Sequence, residues 1–213
     1  DTILFCFILL YSSHFLQVIS LALVNFSVEL LSLLFLVAIV AGFLDTLAGG
    51  GGLLTVPALL MTGIPPLASL ATNKLQSTMG TATATFMMLK NKRVRWRDIK
   101  TLMLSAFIGS VVGTLIVQLI NTEALTIVIP IVIALIGMYF LITPMAEEVN
   151  NNPKITSSAY RFIVVPMIGC YDGIFGPGTG SFFALSGRAL RAQSFLQATA
   201  VAKTLNFSTN FAS

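Results

Sequence analysis

The chain has 213 residues, 56% of them hydrophobic and only 9% charged, with a mean hydropathy of +0.92. A soluble domain carries about 25% charged residues, so there is too little charge here to solvate a globule of this size, and a soluble fold is excluded. The net charge of +4 does not indicate a nucleic-acid partner. Six of the twelve Lys and Arg residues fall in one stretch, "KNKRVRWRDIK" (Lys90–Lys100), with no groove-reading module around it.

In chain order, residues 3–24 form a first apolar run. It is too long for a signal peptide and lacks a basic leading region. A true leading helix and sequence upstream of the native start remain its two readings. Residues 26–44 (FSVELLSLLFLVAIVAGFL) form a second run, long enough for a bilayer that takes roughly 20 apolar residues to cross. It ends in Asp45 and four consecutive glycines, Gly49–Gly52. Glycine costs about 1 kcal/mol per residue against alanine in a helix, so the span must break there. Backbone freed at membrane depth persists only where it is buried in protein or lines a cavity.

After the break, "LLTVPALLM" restarts a short helix, "TGIPPLA" (62–68) turns, and "ATNKLQST" (71–78) places Lys74 in an otherwise uncharged helix. The basic stretch follows, with Trp96 as an interface anchor, and reads as a cytoplasmic loop. Residues 101–120 and 124–145 form a pair of spans joined by "NTE". The loop at 146–161 is again on the cytoplasmic side, and the outward turns lack Lys and Arg.

Four ionisable residues remain inside apolar or helical stretches: Asp45, Lys74, Asp172 and Lys203. Each costs several kcal/mol at bilayer depth, so each should face a protein interior or a wet cavity. Their placement repeats. Gly42, Asp45, Gly49 and Gly51 recur 127 positions later as Gly169, Asp172, Gly176 and Gly178, and "ATNKLQST" is echoed by "ATAVAKTLNFST" (198–209). We read an internal duplication.

An even number of crossings, about four per repeat, makes the halves parallel. Arg188 and Arg191 fit this badly, because they fall where the second repeat's outer turn should lie. By analogy with the first repeat, about 60 residues are missing after the last one. The fold expected is an all-α polytopic membrane protein of two parallel four-helix repeats with glycine-broken helices, the second repeat truncated. Its parts are a leading apolar segment (1–24), a first transmembrane repeat (25–146), a cytoplasmic linker (147–161) and an incomplete second repeat (162–213).

A helix start presents free N–H groups and partial positive charge. Two such starts facing each other, with Lys74 and Lys203 nearby, would cradle a small anion. The alternative is that the glycines only let helices pack closely, as Gly109/Gly113 and Gly80/Ala84 are expected to do. No Gly-Lys-Ser/Thr follows the glycines, no βαβ unit surrounds them, and the lone His14 builds no zinc site. No cofactor or metal is therefore expected. Cys6 and Cys170 are read as free thiols. The "NFS" sequons at Asn25 and Asn206 lie in or beside spans and are discounted.

The stretches "AGFLDTLAGGGGLLTVPAL", "ATNKLQ" and "YDGIFGPGTGSFFAL" together resemble the sulfite exporter TauE/SafE family, in particular its YfcA-like branch. The resemblance runs from about residue 26 to the end. It implies an inner-membrane permease of two similar four-helix halves for sulfite, sulfonates or other small organic anions. It carries the glycine breaks onto Gly49–Gly52 and Gly176–Gly180, the acids onto Asp45 and Asp172, and the lysines onto Lys74 and Lys203. Two departures stand out: the last helices of the second half are absent, and residues 1–16 precede the family's expected start.

The expected substrate-binding residues are Gly49, Gly50, Gly51, Gly52, Asn73, Lys74, Gln76, Gly176, Gly178, Thr179, Gly180, Lys203 and Asn206. Asp45 and Asp172 are either coupling groups or a core ion pair. The expected partners are a small anion and membrane lipid, with no nucleic acid, and the oligomeric state stays open. The competing functions are a cation channel through the two acids, a non-transport membrane scaffold, and an intramembrane hydrolase using Ser181.

Overall fold

The computed structural model describes residues 27–142 and 152–213. The leading segment 1–24 lies outside the described residues. Among the described residues the regular structure is all helical, with no strand. The chain divides into two units, Asp1–Leu36 and Val37–Ser213. Of the first unit, only the start of one helix is described.

The helices are α1 (Val28–Ala48), α2 (Gly52–Met61), α3 (Pro66–Lys90), α4 (Trp96–Gln118), α5 (Thr122–Ile142), α6 (Val165–Ile174), α7 (Thr179–Arg191) and α8 (Phe195–Ala212). A helical turn, Ser157–Ala159, and a π-helical stretch, Tyr160–Val164, lead directly into α6. Helical structure thus begins inside the expected linker 147–161, where Thr156 Oγ1 caps the turn by accepting from Ala159 N at 3.2 Å. The widened stretch falls just before Pro166, whose missing N–H leaves the preceding turn a carbonyl without its usual partner.

Local chemistry sets several of the helix starts. Pro66 opens α3 with its ring pre-set for a first helical position. Asn121 Oδ1 accepts from Glu123 N at 3.0 Å at the start of α5, and Ser194 Oγ accepts from Gln197 N at 3.3 Å at the start of α8. α1 over Val28–Thr46, α4 and α5 are long and apolar enough to cross a membrane.

The distribution of polarity is the reverse of a soluble protein. Asn73, Lys74, Thr81, Asp172, Lys203, Thr204, Asn206 and Thr209 are buried, while Leu104, Ile108, Leu115, Ile131, Leu135 and Met138 are exposed. Only an apolar solvent makes that arrangement favourable.

In the second unit, two apolar clusters mark the ends of the bundle. Val94 of the basic turn packs with Ile99, Tyr160, Val165 and Phe183, and Leu89, Ile155 and Leu190 lean on the same cluster. We call this the basic end. At the opposite end, Val56, Leu70, Val117, Leu125 and Ile129 pack together, with Leu60, Ile174 and Phe175 against them.

These clusters fix the direction of each helix. α3 runs toward the basic end, α4 away from it and α5 back. α6 starts at the basic end and finishes at the opposite one, lying parallel to α4. There Gly109, Gly113, Gly169 and Gly173 bring the two backbones into contact, so that a Cβ on Gly113 would meet Gly173 Cα at 3.0 Å. The expectation that Gly109 and Gly113 serve close packing matches this seam.

The short helices do not continue the spans before them. α7 turns back, and its last turn reaches the segment where the α6 run begins. Lys154 N donates to Leu190 O at 3.0 Å, Arg191 Nη2 donates to Ser157 Oγ at 2.7 Å, and Arg191 Nη1 donates to Ile155 O. α2 likewise folds back along α1, since a Cβ on Gly51 would lie 2.7 Å from both Ala41 O and Asp45 Cβ.

The expected in-line interruptions are therefore hairpins, and each reverses the chain once more than expected. From Val37 on, α1 heads toward the basic end and α2 returns. α6 leaves the basic end and α7 comes back to it. The two hairpins run in opposite directions, so the parallel arrangement expected from four crossings per repeat does not describe them. Arg188 and Arg191 cease to be anomalous, because their turn shares an end with the basic loop.

Candidate functional site

The hairpin tips meet each other. Gly49 has φ +74°, Gly176 +91° and Gly178 +80°, a left-handed backbone that side chains rarely tolerate. Gly49 and Gly180 touch backbone to backbone. A Cβ on Gly49 would come 2.7 Å from Gly180 Cα and 2.9 Å from Ser181 N, and one on Gly180 would come 2.8 Å from Gly49 Cα. The second contact of the tips is Gly52 against Pro177, where an added Cβ would lie 3.2 Å from Pro177 Cα. Glycine is required at Gly49 and Gly180 because no larger residue lets the tips close.

Each acid reaches across its own break. Asp45 Oδ1 accepts from Gly51 N at 3.1 Å, and Asp172 Oδ1 accepts from Thr179 Oγ1 at 2.8 Å. Both carboxylates thus sit at the N-terminal turn of a returning helix, where the macrodipole favours negative charge.

Each lysine crosses to the other hairpin. Lys74 on α3 places Nζ 2.5 Å from Asp172 Oδ1, passing over Gly176, where a Cβ would stand 3.0 Å from Lys74 Cε and Nζ. Lys203 on α8 donates from Nζ to the main-chain carbonyl of Asp45. Lys74, Asp172 and Lys203 are 6%, 1% and 4% exposed. The asymmetry is plain: Lys74 holds a carboxylate, whereas Lys203 forms no salt bridge with a carboxylate among the described residues. Asn73 stands beside Gly52 and Asn206 beside Gly180. Asn73 Oδ1 and Asp172 Oδ2 are buried and accept no hydrogen bond from the described residues.

A cavity of about 40 Å³ with several polar side chains in its wall adjoins the Lys203 side. Asp45, Gly51, Thr55, Gln76, Ser77, Thr81 and Lys203 line it, with the small residues Ala41, Gly42, Gly80 and Ala84 completing the wall. One water centre needs about 10–15 Å³, so this space suits a few waters or one small ion. Gln76 Nε2 is oriented by donating to Ala38 O at 3.1 Å. No group of three His, Cys, Asp or Glu among the described residues is placed to hold a metal.

Of the residues expected to bind substrate, only Gly51, Gln76 and Lys203 line the cavity, together with Asp45. Gly49, Gly52, Asn73, Lys74, Gly176, Thr179, Gly180 and Asn206 form the packed junction of the tips instead. Gly178 turns away from it, against Ile136 and Phe140 of α5, and a Cβ on Gly50 would meet only Leu53 Cδ1, at 3.5 Å. The facing tips are in close contact at Gly49 with Gly180 and at Gly52 with Pro177, and the cavity described here lies to one side of them.

Thr55, Ser77 and Thr81 are cavity residues not singled out from the sequence. Ser77 and Thr81 continue the Gln76 stripe at helical spacing, beside Gly80 and Ala84, and that small polar face was the available signal. Gly80 and Ala84 line the cavity, and a Cβ on Gly80 would meet nothing within 4 Å.

A helical membrane protein with two glycine-broken hairpins meeting around buried Lys and Asp residues is built as membrane transporters are. The sulfite exporter TauE/SafE family profile matches residues 34–213. The chain is 42% identical over 189 residues to a probable membrane transporter protein of Haemophilus influenzae, covering 89% of this chain and 74% of that one. It is 40% identical over 182 residues to the probable membrane transporter protein ORF9 of a Sinorhizobium species, covering 85% and 70%. The probable membrane transporter protein YfcA of Escherichia coli K12 is 42% identical over 181 residues, covering 85% and 67%. No solved structure gives a significant match. The chain belongs to the TauE/SafE family, a family of membrane transporters rather than enzymes.

Proposed function

We propose that the protein moves a small oxyanion, such as sulfite, a sulfonate or another small organic anion, across the cell inner membrane by alternating access. The observation that carries this is Lys203. It is buried, it borders the cavity, and it meets a main-chain carbonyl rather than a carboxylate. The Asp45 carboxylate lines the same cavity but is turned to the Gly51 amide and makes no ion pair with Lys203. The ammonium, beside Gly51, Gln76, Thr55, Ser77 and Thr81, is thus left able to take up an anion. The cavity's size suits an ion of a few heavy atoms.

The two hairpins with the helices after them, 37–90 and 157–212, are read as copies of one unit placed in opposite orientations. That arrangement suits alternating access, because exchanging the conformations of the two copies reverses the side of access. The basic loop faces the cytoplasm in this reading. A cation path along Asp45 and Asp172 is disfavoured, because Asp172 is held by Lys74 and Asp45 by the Gly51 amide.

The test is anion flux in proteoliposomes, with sulfite, sulfoacetate, sulfate and short carboxylates as the panel. Lys203→Ala should lower flux of the accepted anion at least tenfold and Lys74→Ala should also impair it. Unchanged flux in Lys203→Ala would discard the reading.

A further inference from the structure

We propose that the two crossed Lys–Asp pairs are alternately closed latches, and that this structure holds the state with Lys74–Asp172 shut and Lys203–Asp45 open onto the cavity. The inference deepens the transport reading by naming what switches access.

Three observations carry it. First, the pairs occupy corresponding places in oppositely directed hairpins. In each, a lysine two helices beyond one tip reaches the acid that caps the other tip. Second, corresponding pairs are in different states. Lys74 Nζ is 2.5 Å from its carboxylate, whereas Lys203 stops at the main-chain carbonyl of Asp45 and borders open volume. Third, the pairs are stacked along the bundle. Lys74 lies sixteen residues from the Lys90 end of α3 and Lys203 eight residues from the start of α8, roughly 24 Å and 12 Å along their helices from the basic end. The shut latch is therefore farther from the basic loop, and the open one nearer to it.

Closing the second latch needs only a side-chain movement, because Lys203 already touches Asp45. Releasing the first leaves Asp172 still bonded to Thr179 and Lys74 free for an anion. Each lysine thus has a carboxylate in one state and the solute in the other. The two states differ in which pair is formed rather than in how many, as a bistable element requires.

The test uses a single reporter, Ser77→Cys in a Cys6→Ala, Cys170→Ala background, in oriented membrane vesicles. It reads the rate of modification by a small membrane-impermeant methanethiosulfonate. The reporter should react from the basic-loop face. Asp172→Asn, which loosens the shut latch, should slow that reaction at least tenfold as Lys203 closes on Asp45. Asp45→Asn should leave the rate unchanged or raise it. The exchange Lys74→Asp with Asp172→Lys should restore the rate to within about twofold.

Equal effects of Asp172→Asn and Asp45→Asn, or no effect above twofold from Asp172→Asn, would overturn the proposal. Should Asp172→Asn fail to give a monodisperse protein, Asp172→Glu takes its place, with slowing of at least threefold expected and none overturning. The labelling needs no solute. A flux failure with the labelling pattern intact discards the anion alone, and the converse discards the latches alone.

Discussion

Replacing Gly49 by alanine tests the junction at its tightest point. The residue has φ +74°, where a Cβ costs about 1–2 kcal/mol. The added carbon would also lie 2.7 Å from Gly180 Cα and 2.9 Å from Ser181 N. Both are backbone atoms of the other tip, which cannot rotate away, and overpacking of this kind costs about 1–3 kcal/mol. The sum is about 2–5 kcal/mol. For a chain of this length each kcal/mol shifts Tm by about 2–4 °C, so Gly49→Ala should lower Tm by roughly 4–20 °C in detergent. Thermal unfolding followed by size-exclusion fluorescence reads this directly. The control is Gly50→Ala, one residue on, where the new carbon meets only a flexible Leu53 methyl at 3.5 Å and the change should stay within about 0.5 kcal/mol. Equal losses at the two positions, or none at Gly49, would show that the hairpin tips do not touch and refute the packing argument.

The buried pair gives a second prediction. Asp172→Leu should cost about 3–5 kcal/mol, because it leaves the Lys74 charge uncompensated, while Lys74→Met with Asp172→Leu should recover most of that stability. Flux should stay lost in both, and a double variant that transports normally would show the pair to be scaffolding. The hairpin directions give a third. Cysteines placed at Asn91 and at Gln193 should react with an impermeant thiol reagent from the same membrane face, and one at Thr62 from the other. Reaction of Gln193→Cys from the Thr62 face would restore the parallel topology.

The membrane class, the all-helical character and the buried charged residues were readable from residues alone. Hydropathy is a local sum, and a charge inside a greasy run is visible wherever it occurs. Asp45, Lys74, Asp172 and Lys203 stood out for that reason, and each proves to lie at the hairpin tips or in the cavity beside them. What remained illegible was pairing. Lys74 lies 29 positions from Asp45 and 98 from Asp172. A linear string gives no reason to prefer the distant acid, and the crossing of Lys74 to Asp172 depends on how two hairpins dock. The cavity residues Thr55, Ser77 and Thr81 were missed because hydroxyls in membrane helices most often bond their own backbone, as Thr81 does to Ser77 O at 2.6 Å. The choice of which hydroxyls face open volume is made by packing.

The direction of the second half shows the division most clearly. Composition determined that the chain lies in lipid, and the glycine runs determined that two helices must break there, because lipid permits no unsatisfied backbone and glycine supports no stable helix. Neither could say whether the chain continues or turns back after a break. A glycine with positive φ permits both, and the outcome rests on contacts between residues far apart in sequence, such as Gly49 with Gly180 and Leu190 with Lys154. Only tertiary packing makes that decision, since it alone sets the free energy of one docked arrangement against the other.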